Sequence, residues 1–345
     1  MKRHFTLFLT IIMVFIVLSA CTPAETPDDN ATTQNYFTTT VATTSTKVVA
    51  TGYGIGYVGL NENEIEYTGE PIELTLEVNP EGKRISMMLF VDGYLQPYSV
   101  DGGETDYFHT IYSGVYTLSF QPVSGKAGET VQFYSTIVNQ CPDLDNPANQ
   151  LLDADDYCEI LNEHHASSYA TACVIKMNAD APGTVPQAAA DLAHTHEIQT
   201  IWRAMSGLGD NPPSTMNQTD FHVYDVVMEG ESWRDFEEDD YGRQTKIIAD
   251  KDTEHEMFIC GYGKTGKYRV SLFINGEIQY VFDGKAYLDM EIVENKQTTC
   301  PITINTQGLG KNNYIYLTYC ALDEETSELT LVDASKSITR MLLVE

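Results

Sequence analysis

Two octets decide the fold: Leu89-Phe90-Val91-Asp92-Gly93-Tyr94-Leu95-Gln96 and Leu272-Phe273-Ile274-Asn275-Gly276-Glu277-Ile278-Gln279. Four of the eight positions are identical, and three more are conservative. The octets begin 183 positions apart, and the register extends well beyond them. Upstream, Leu74 and Leu76 correspond to Met257 and Ile259. Downstream, Val131 and Phe133 correspond to Tyr314 and Tyr316, and Asp101-Gly102 corresponds to Asp283-Gly284 with one residue of slip. A register held over this length marks an internal repeat, which is read before any local feature.

Each octet has the same physical content. An apolar run, read as an alternating strand, enters Asp-Gly or Asn-Gly, and a second apolar run leaves. These dipeptides tolerate positive φ at both central positions, as a tight type I′ hairpin requires. Further strand-like runs follow at Gly114 to Phe120, Thr130 to Val138, Cys300 to Thr306 and Asn313 to Leu322. Turn residues separate them. Ser168 to Met177 and Ser337 to Glu345 are plausible closing strands of the two copies. The chain has 21 Tyr and only 2 Trp, and with its Val, Ile, Thr and Phe this favours strands.

The pattern resembles immunoglobulin-like β-sandwiches, which carry about seven short strands with regular turn signals. The expected fold class is therefore mainly β. It comprises two antiparallel sandwich domains related by internal duplication, a short helical segment between them and a disordered N-terminal stalk. A small barrel is the alternative the pattern leaves open.

The expected boundaries are a signal peptide over 1–20, a lipidated Thr-rich stalk over 21–51 and a first sandwich over 52–180 with an insertion at 141–167. A helical or loop connector follows over 181–220, then a second sandwich over 221–345. Val185 to Ser206 is the helix candidate, with Ala188, Leu192, Ile198, Ile201, Trp202 and Met205 forming a mostly apolar stripe. Pro186 stands near its start and Gly207 just past its end.

The first twenty residues have a basic head (Lys2, Arg3), an uncharged, mostly apolar middle from Phe5 to Leu18, and small residues before Cys21. That is the layout of a secretory signal peptide. Leu18-Ser19-Ala20-Cys21 resembles the lipobox of bacterial lipoproteins. The resemblance implies cleavage before Cys21 and lipidation of that cysteine. It places the chain on a membrane, outside the cytoplasm at the cell surface. Stable anchoring takes more than one acyl chain, which a diacylglycerol supplies.

The formal net charge is −30, from 50 Asp and Glu against 20 Lys and Arg. Such a balance disfavours nucleic acid and anionic lipid headgroups as direct partners. The remaining partner is an unidentified protein or glycan. Exposed aromatics such as Tyr94, Tyr98, Tyr107 and Tyr112 could stack on sugars if they formed a planar row.

Seven cysteines become six once Cys21 carries lipid. Export permits disulfides. Cys141 and Cys158 flank one acidic insertion and form the preferred pair. Cys260 and Cys320 fall on early and late strands, like the inter-sheet bridge of immunoglobulin domains, although no Trp core signature accompanies them. All six as free thiols is the other possibility.

Several motifs invite chemistry and fail their context tests. Gly54-Ile55-Gly56-Tyr57-Val58-Gly59 matches the dinucleotide fingerprint, but Asn61 to Pro71 leaves no room for the helix that would hold the pyrophosphate. His194 and His196 stand two apart, whereas a zinc helix places its histidines four apart. The hydrolase alternative would gather them with His164, His165 or His222. Asp143, Asp145, Asn146, Asn149, Asp153, Asp155 and Asp156 are rich in oxygen, yet the insertion lacks the turn glycine of a calcium loop. The adjacent acids Glu237 to Asp240 cannot flank a glycosidic bond. The expectation is a non-catalytic protein with no cofactor and no metal.

Overall fold

The computed structural model describes residues 55–58, 64–78, 85–139, 168–197, 219–224, 246–322 and 335–345. The leader, Cys21 and the Thr-rich segment lie outside them, as do Cys141, Cys158, His164, His165 and the acidic insertion. Within them the chain is entirely β. The first part contributes β1 (Ile55–Val58), β2 (Glu64–Tyr67), β3 (Ile72–Val78), β4 (Ile85–Val91), β5 (Tyr94–Gln96) and β6 (Tyr98–Val100). It continues through β7 (Thr105–Asp106), β8 (His109–Ile111), β9 (Gly114–Phe120), β10 (Thr130–Asn139) and β11 (Ser168–Met177). Two short strands follow, β12 (Ala188–Ala189) and β13 (His194–Glu197). The last part holds β14 (Asp220–Tyr224), β15 (Lys246–Ala249), β16 (Glu254–Tyr262), β17 (Gly266–Ile274) and β18 (Glu277–Ile278). It closes with β19 (Tyr287–Ile292), β20 (Lys296–Asn305), β21 (Asn312–Ala321) and β22 (Ser335–Val344).

The strands form four sheets. The first runs β1-β3-β9-β6-β7 and the second β2-β11-β10-β4-β5, with β8 also on β4. The third runs β12-β19-β17-β21-β22-β15, with β18 on β17, and the fourth β13-β20-β16-β14. The first pair of sheets has the immunoglobulin-like order: the opening strand is split, β1 lying antiparallel to β3 while β2 runs parallel to β11. The later order β14-β16-β20 against β15-β22-β21-β17 reproduces β1-β3-β9 against β2-β11-β10-β4, including a parallel β15–β22 pair. Both octets fold as expected into hairpins. Asp92 and Gly93 have φ of 54° and 76°, and Asn275 and Gly276 have 53° and 84°, the left-handed values a type I′ turn needs.

Side-chain alternation sorts residues into three apolar layers. On β4, Ile85, Met87, Leu89 and Val91 face the first sheet, in a core with Leu76, Leu118 and Phe133. Here Phe120 stacks on Phe133 with ring centres 5.6 Å apart. On β21, Ile315, Leu317 and Tyr319 join the core against the fourth sheet with Val270, Ile259 and Phe221. The opposite faces of the same two strands do not meet water. Met88 and Phe90 meet Tyr314, Tyr316 and Cys320 in a third layer between the second and third sheets. The two sandwiches are therefore stacked face to face. This corrects the expected alternation on β4, which, like β21, is buried at every position because both of its faces are covered.

The expected helix over Val185 to Ser206 is overturned where the structure describes it. Ala188–Ala189 pairs in parallel with Tyr287–Leu288, and His194–Glu197 pairs antiparallel with Lys296–Thr299. Two sheets of the second sandwich end at those edges and offer unpaired backbone groups, and satisfying them outweighs a helical apolar stripe. The connector thus extends both sheets, with Ala189 in the core and Leu192 packed against it.

Candidate functional site

The seam between the sandwiches concentrates the aromatic, charged and exposed residues that the cores leave over. Its floor is the shared layer. Phe108 lies 5.1 Å from Tyr316 and 6.0 Å from Phe273, centre to centre, so the first sandwich packs one ring against two cross-strand neighbours of the second. Tilted pairs of this kind add to the area they bury.

At one end of the seam stands Arg269, on β17 of the second sandwich. Its Nε and Nη2 donate to the two carboxylate oxygens of Asp289 at 2.7 and 2.8 Å, a bidentate pair across β17 and β19. Its guanidinium carbon lies 3.8 Å from the centre of the Tyr94 ring in the first sandwich, and Nη1 reaches the Asp92 carbonyl at 3.4 Å. Tyr94 in turn meets Tyr287 edge-on at 5.3 Å. Burial alone would lower the Arg269 pKa, but hydrogen bonding and charge pairing with Asp289 outweigh it and hold the pKa above its ordinary value. The first hairpin therefore docks on a cation that the second sandwich holds in place.

Adjoining this end through Tyr287 lies a cleft of about 330 Å³. Tyr107 comes from the first sandwich, Pro186 and Gln187 from the connector, and Tyr280, Lys285 and Tyr287 from the second sandwich. Tyr280 is 63% exposed, and Val185, next to Pro186, is 43% exposed. These are two of the few large apolar side chains that face solvent among the described residues. Lys285 reaches the Ala188 carbonyl at 3.3 Å, so its charge is tied back to the connector. Among the described residues that line the cleft, none is Asp or Glu. Burial raises the Tyr107 pKa, and the neighbouring Tyr280 phenol and the Asp106 carboxylate raise it further. Burial also raises that of Tyr287, with Tyr107 the next cause. Three phenols thus gather at one place.

Tyr94, Tyr98, Tyr107 and Tyr112 do not form the planar row that stacking on sugars would have required. Tyr98 is fully buried, with its hydroxyl donating to the Met87 carbonyl at 2.7 Å. Tyr94 lies beneath Arg269, Tyr107 enters the cleft, and only Tyr112 is well exposed, at 54%. Tyr94 and Tyr98 lie on different strands, β5 and β6, and Tyr107 and Tyr112 fall between strands, so no single sheet face carries the four. Tyr280, Tyr287, Gln187, Lys285 and Arg269 were not singled out by sequence reasoning. Their signal was indirect: uninterrupted apolar runs at Met87–Val91 and Tyr314–Leu317 imply sheets covered on both sides, and hence a seam.

Among the described residues, the candidate histidines are not drawn together. His194 and His196 lie on β13 and His222 on β14, the two opposite edges of the fourth sheet, with β20 and β16 between them. Three strand spacings of about 4.8 Å separate those edges. His196 has the Thr299 hydroxyl at 3.3 Å, and His222 stacks on Tyr262. Cys260 and Cys320 do not form the expected bridge. Neither is in a disulfide, nor are Cys173 and Cys300, and all four are buried. Cys320 belongs to the layer between the sandwiches, whereas Cys260 sits on the fourth sheet, so the whole third sheet stands between them. Burial pushes the Cys300 thiol up to about 12 and raises Cys173, Cys260 and Cys320 as well, so these thiols are poor nucleophiles. The glycine-rich stretch near Gly54 holds β1, an edge strand on β3 with Tyr57 in the core, rather than a phosphate loop.

No known protein family matches the sequence, and no curated protein does. Among solved structures, the fibronectin(III)-like modules of Clostridium thermocellum CbhA are similar at 10% identity and a TM-score of 0.21, over 82% of this chain and 88% of that one. The collagen adhesin of S. aureus is similar at 10% identity and 0.19, over 84% and 91%. The chaperone–tip adhesion subunit complex of Acinetobacter baumannii Csu pili is similar at 9% identity and 0.19, over 82% and 95%. TM-scores this low carry no functional weight; the fold rests on the strand orders themselves.

Proposed function

We propose that this chain is an exported lipoprotein, anchored through Cys21, that presents two joined β-sandwiches as a non-catalytic binding module at the cell surface. The reading of the anchor rests on the leader, whose basic head, apolar middle and Leu18-Ser19-Ala20-Cys21 end fit together. The reading of the cargo rests on one observation above all: the seam cleft is built from both sandwiches and their connector at once. A cleft at the junction of domains is a common place for a ligand. A paired sandwich also suits presentation, because stacked sheets hold the cleft's walls at fixed spacing. Adhesion, ligand capture and envelope assembly all fit such a body, and its partner is a protein or glycan outside the cell.

Labelling cells with radioactive palmitate tests the anchor. The expected result is a labelled, membrane-bound protein whose Cys21→Ala variant is unlabelled and either released or uncleaved. Unchanged labelling and membrane retention in that variant would overturn the anchor. The cargo's role is tested by comparing adhesion of cells displaying the protein with cells lacking it, on extracellular matrix and on glycan-coated surfaces. Equal adhesion on every surface would overturn the binding role.

A further inference from the structure

We infer that the seam cleft is a binding site for an uncharged saccharide, which stacks on Tyr280 and is held by the hydroxyls of Tyr107 and Tyr280 together with Gln187. This inference rests on the proposed role as a binding module and names the ligand class of that module.

Four observations converge. The first is shape. A cleft of about 330 Å³ falls at the small end of ligand pockets, which span roughly 300–1,000 Å³, and suits a compact ring better than an extended chain. The second is surface chemistry. Tyrosine offers a rigid apolar face and a polar tip at small entropic cost, and the cleft gathers three of them. A sugar ring has the matching character, with apolar C–H faces and a rim of hydroxyls that both donate and accept.

The third observation is charge. The chain carries −30 overall, yet none of the described residues lining the cleft is acidic. An anionic ligand would meet the repulsion of the whole molecule. A cationic ligand would find Lys285 and no carboxylate in the lining. An uncharged ligand avoids both costs. The fourth is exposure. Tyr280, which lines the cleft, keeps its apolar ring in water at 63% exposure, and Val185, next in sequence to the lining residue Pro186, is 43% exposed. Apolar surface left at the rim of a concave site is what a ligand's face would cover.

The test uses the full mature chain in detergent micelles, titrated by calorimetry with short neutral oligosaccharides of glucose, galactose, mannose and N-acetylglucosamine. At least one is expected to bind. Tyr280→Ala and Tyr107→Ala should each weaken that binding by about tenfold or more, equivalent to about 1.4 kcal/mol. Tyr280→Phe should retain most of it, because the stacking face remains. Tyr112→Ala should bind as the parent does, since Tyr112 is an exposed tyrosine that does not line the cleft. Thermal unfolding of each variant separates lost binding from lost fold; Tyr280, being mostly exposed, should leave the melting temperature unchanged.

Absence of binding by every saccharide would overturn the inference, as would binding that persists in a folded Tyr280→Ala, Tyr107→Ala double variant. So would capture of a proline-rich peptide by the same tyrosines in place of any sugar. If saccharides fail while displayed protein still mediates adhesion, the binding module stands and its ligand class is wrong. If both fail, the module reading itself falls.

Discussion

The same lattice position is used in opposite ways by the two sandwiches. In the first, β4 and β8 place Ser86 opposite Thr110, and the two hydroxyls meet at 3.3 Å. In the second, β17 and β19 place Arg269 opposite Asp289 in a bidentate ion pair. Ser86 and Arg269 stand 183 positions apart, the shift of the octet repeat. The neutral pair serves only its own sheet. The charged pair also reaches out, over Tyr94 and to the Asp92 carbonyl of the other sandwich. The hairpins differ accordingly. Asn275 turns inward, its amide donating to Asn313 at 2.9 Å, whereas the Asp92-Gly93 turn abuts its neighbour. Two similar modules become one body when a few positions in one copy face the other.

The most severe way to break this relation is to empty the shared layer. Phe273 and Tyr316 are both fully buried there, side by side on adjacent strands and both against Phe108. Phe273→Ala or Tyr316→Ala should cost about 3–5 kcal/mol, the usual loss for truncating a buried aromatic. The parent should unfold in one cooperative calorimetric transition, because neither sandwich can open without exposing this layer. The variants should split it into two transitions. Two transitions in the parent protein would show that the layer does not couple the sandwiches.

Next in size is the clamp. Arg269→Ala strips Asp289 of its partner, removes the cation over Tyr94 and takes away the hydrogen bond to the Asp92 carbonyl. The side chain of Arg269 is 10% exposed and that of Asp289 is 32% exposed, so the pair lies between surface and buried cases. A loss of about 2 kcal/mol is expected. Ser86→Ala, at the matching position, should cost about 1 kcal/mol, the worth of one ordinary hydrogen bond. Equal losses in chemical denaturation would mean that Arg269 contributes nothing across the seam. Arg269→Lys should recover little, since an ammonium cannot make the bidentate contact.

Legibility from the sequence divides along the same line. Hairpins and strands within each module could be read from Asp92-Gly93, Asn275-Gly276 and the apolar runs around them, because turn chemistry and strand period are local. Relations between modules were written less plainly. Ile85–Val91 was read as alternating, although Met87, Met88, Leu89 and Phe90 are apolar in unbroken succession, which is how a strand covered on both faces reads. The helix expected over Val185 to Ser206 failed, in its described part, for a kindred reason. A stripe such as Ala188, Leu192 and Ile198 reports which residues want burial, but not whether a nearby sheet edge will capture the backbone first. Tyr107 was noted only as one of several exposed tyrosines. Its partners Tyr280 and Tyr287 are 173 and 180 positions away, and only the stacking of the sandwiches brings them together.

The finest distinction is between two glycines of the first sandwich. Gly93 and Gly102 both follow an aspartate in a tight turn, with φ of 76° and 72°. An added Cβ is strained in that region by about 1 kcal/mol wherever it occurs. At Gly102 the new methyl would meet nothing within 4 Å. At Gly93 it would stand 2.6 Å from Cδ2 of Leu322 and 3.8 Å from Cβ of Arg269, both in the second sandwich. Leu322 can turn aside, but at a packing cost, so Gly93→Ala should lose about 2 kcal/mol against about 1 kcal/mol for Gly102→Ala. The difference is the part that belongs to the seam. It should vanish when Leu322→Ala is added to Gly93→Ala, because the obstructing methyl is then gone. A difference that survives Leu322→Ala would place the strain inside the hairpin itself and leave the first module's turn indifferent to its neighbour.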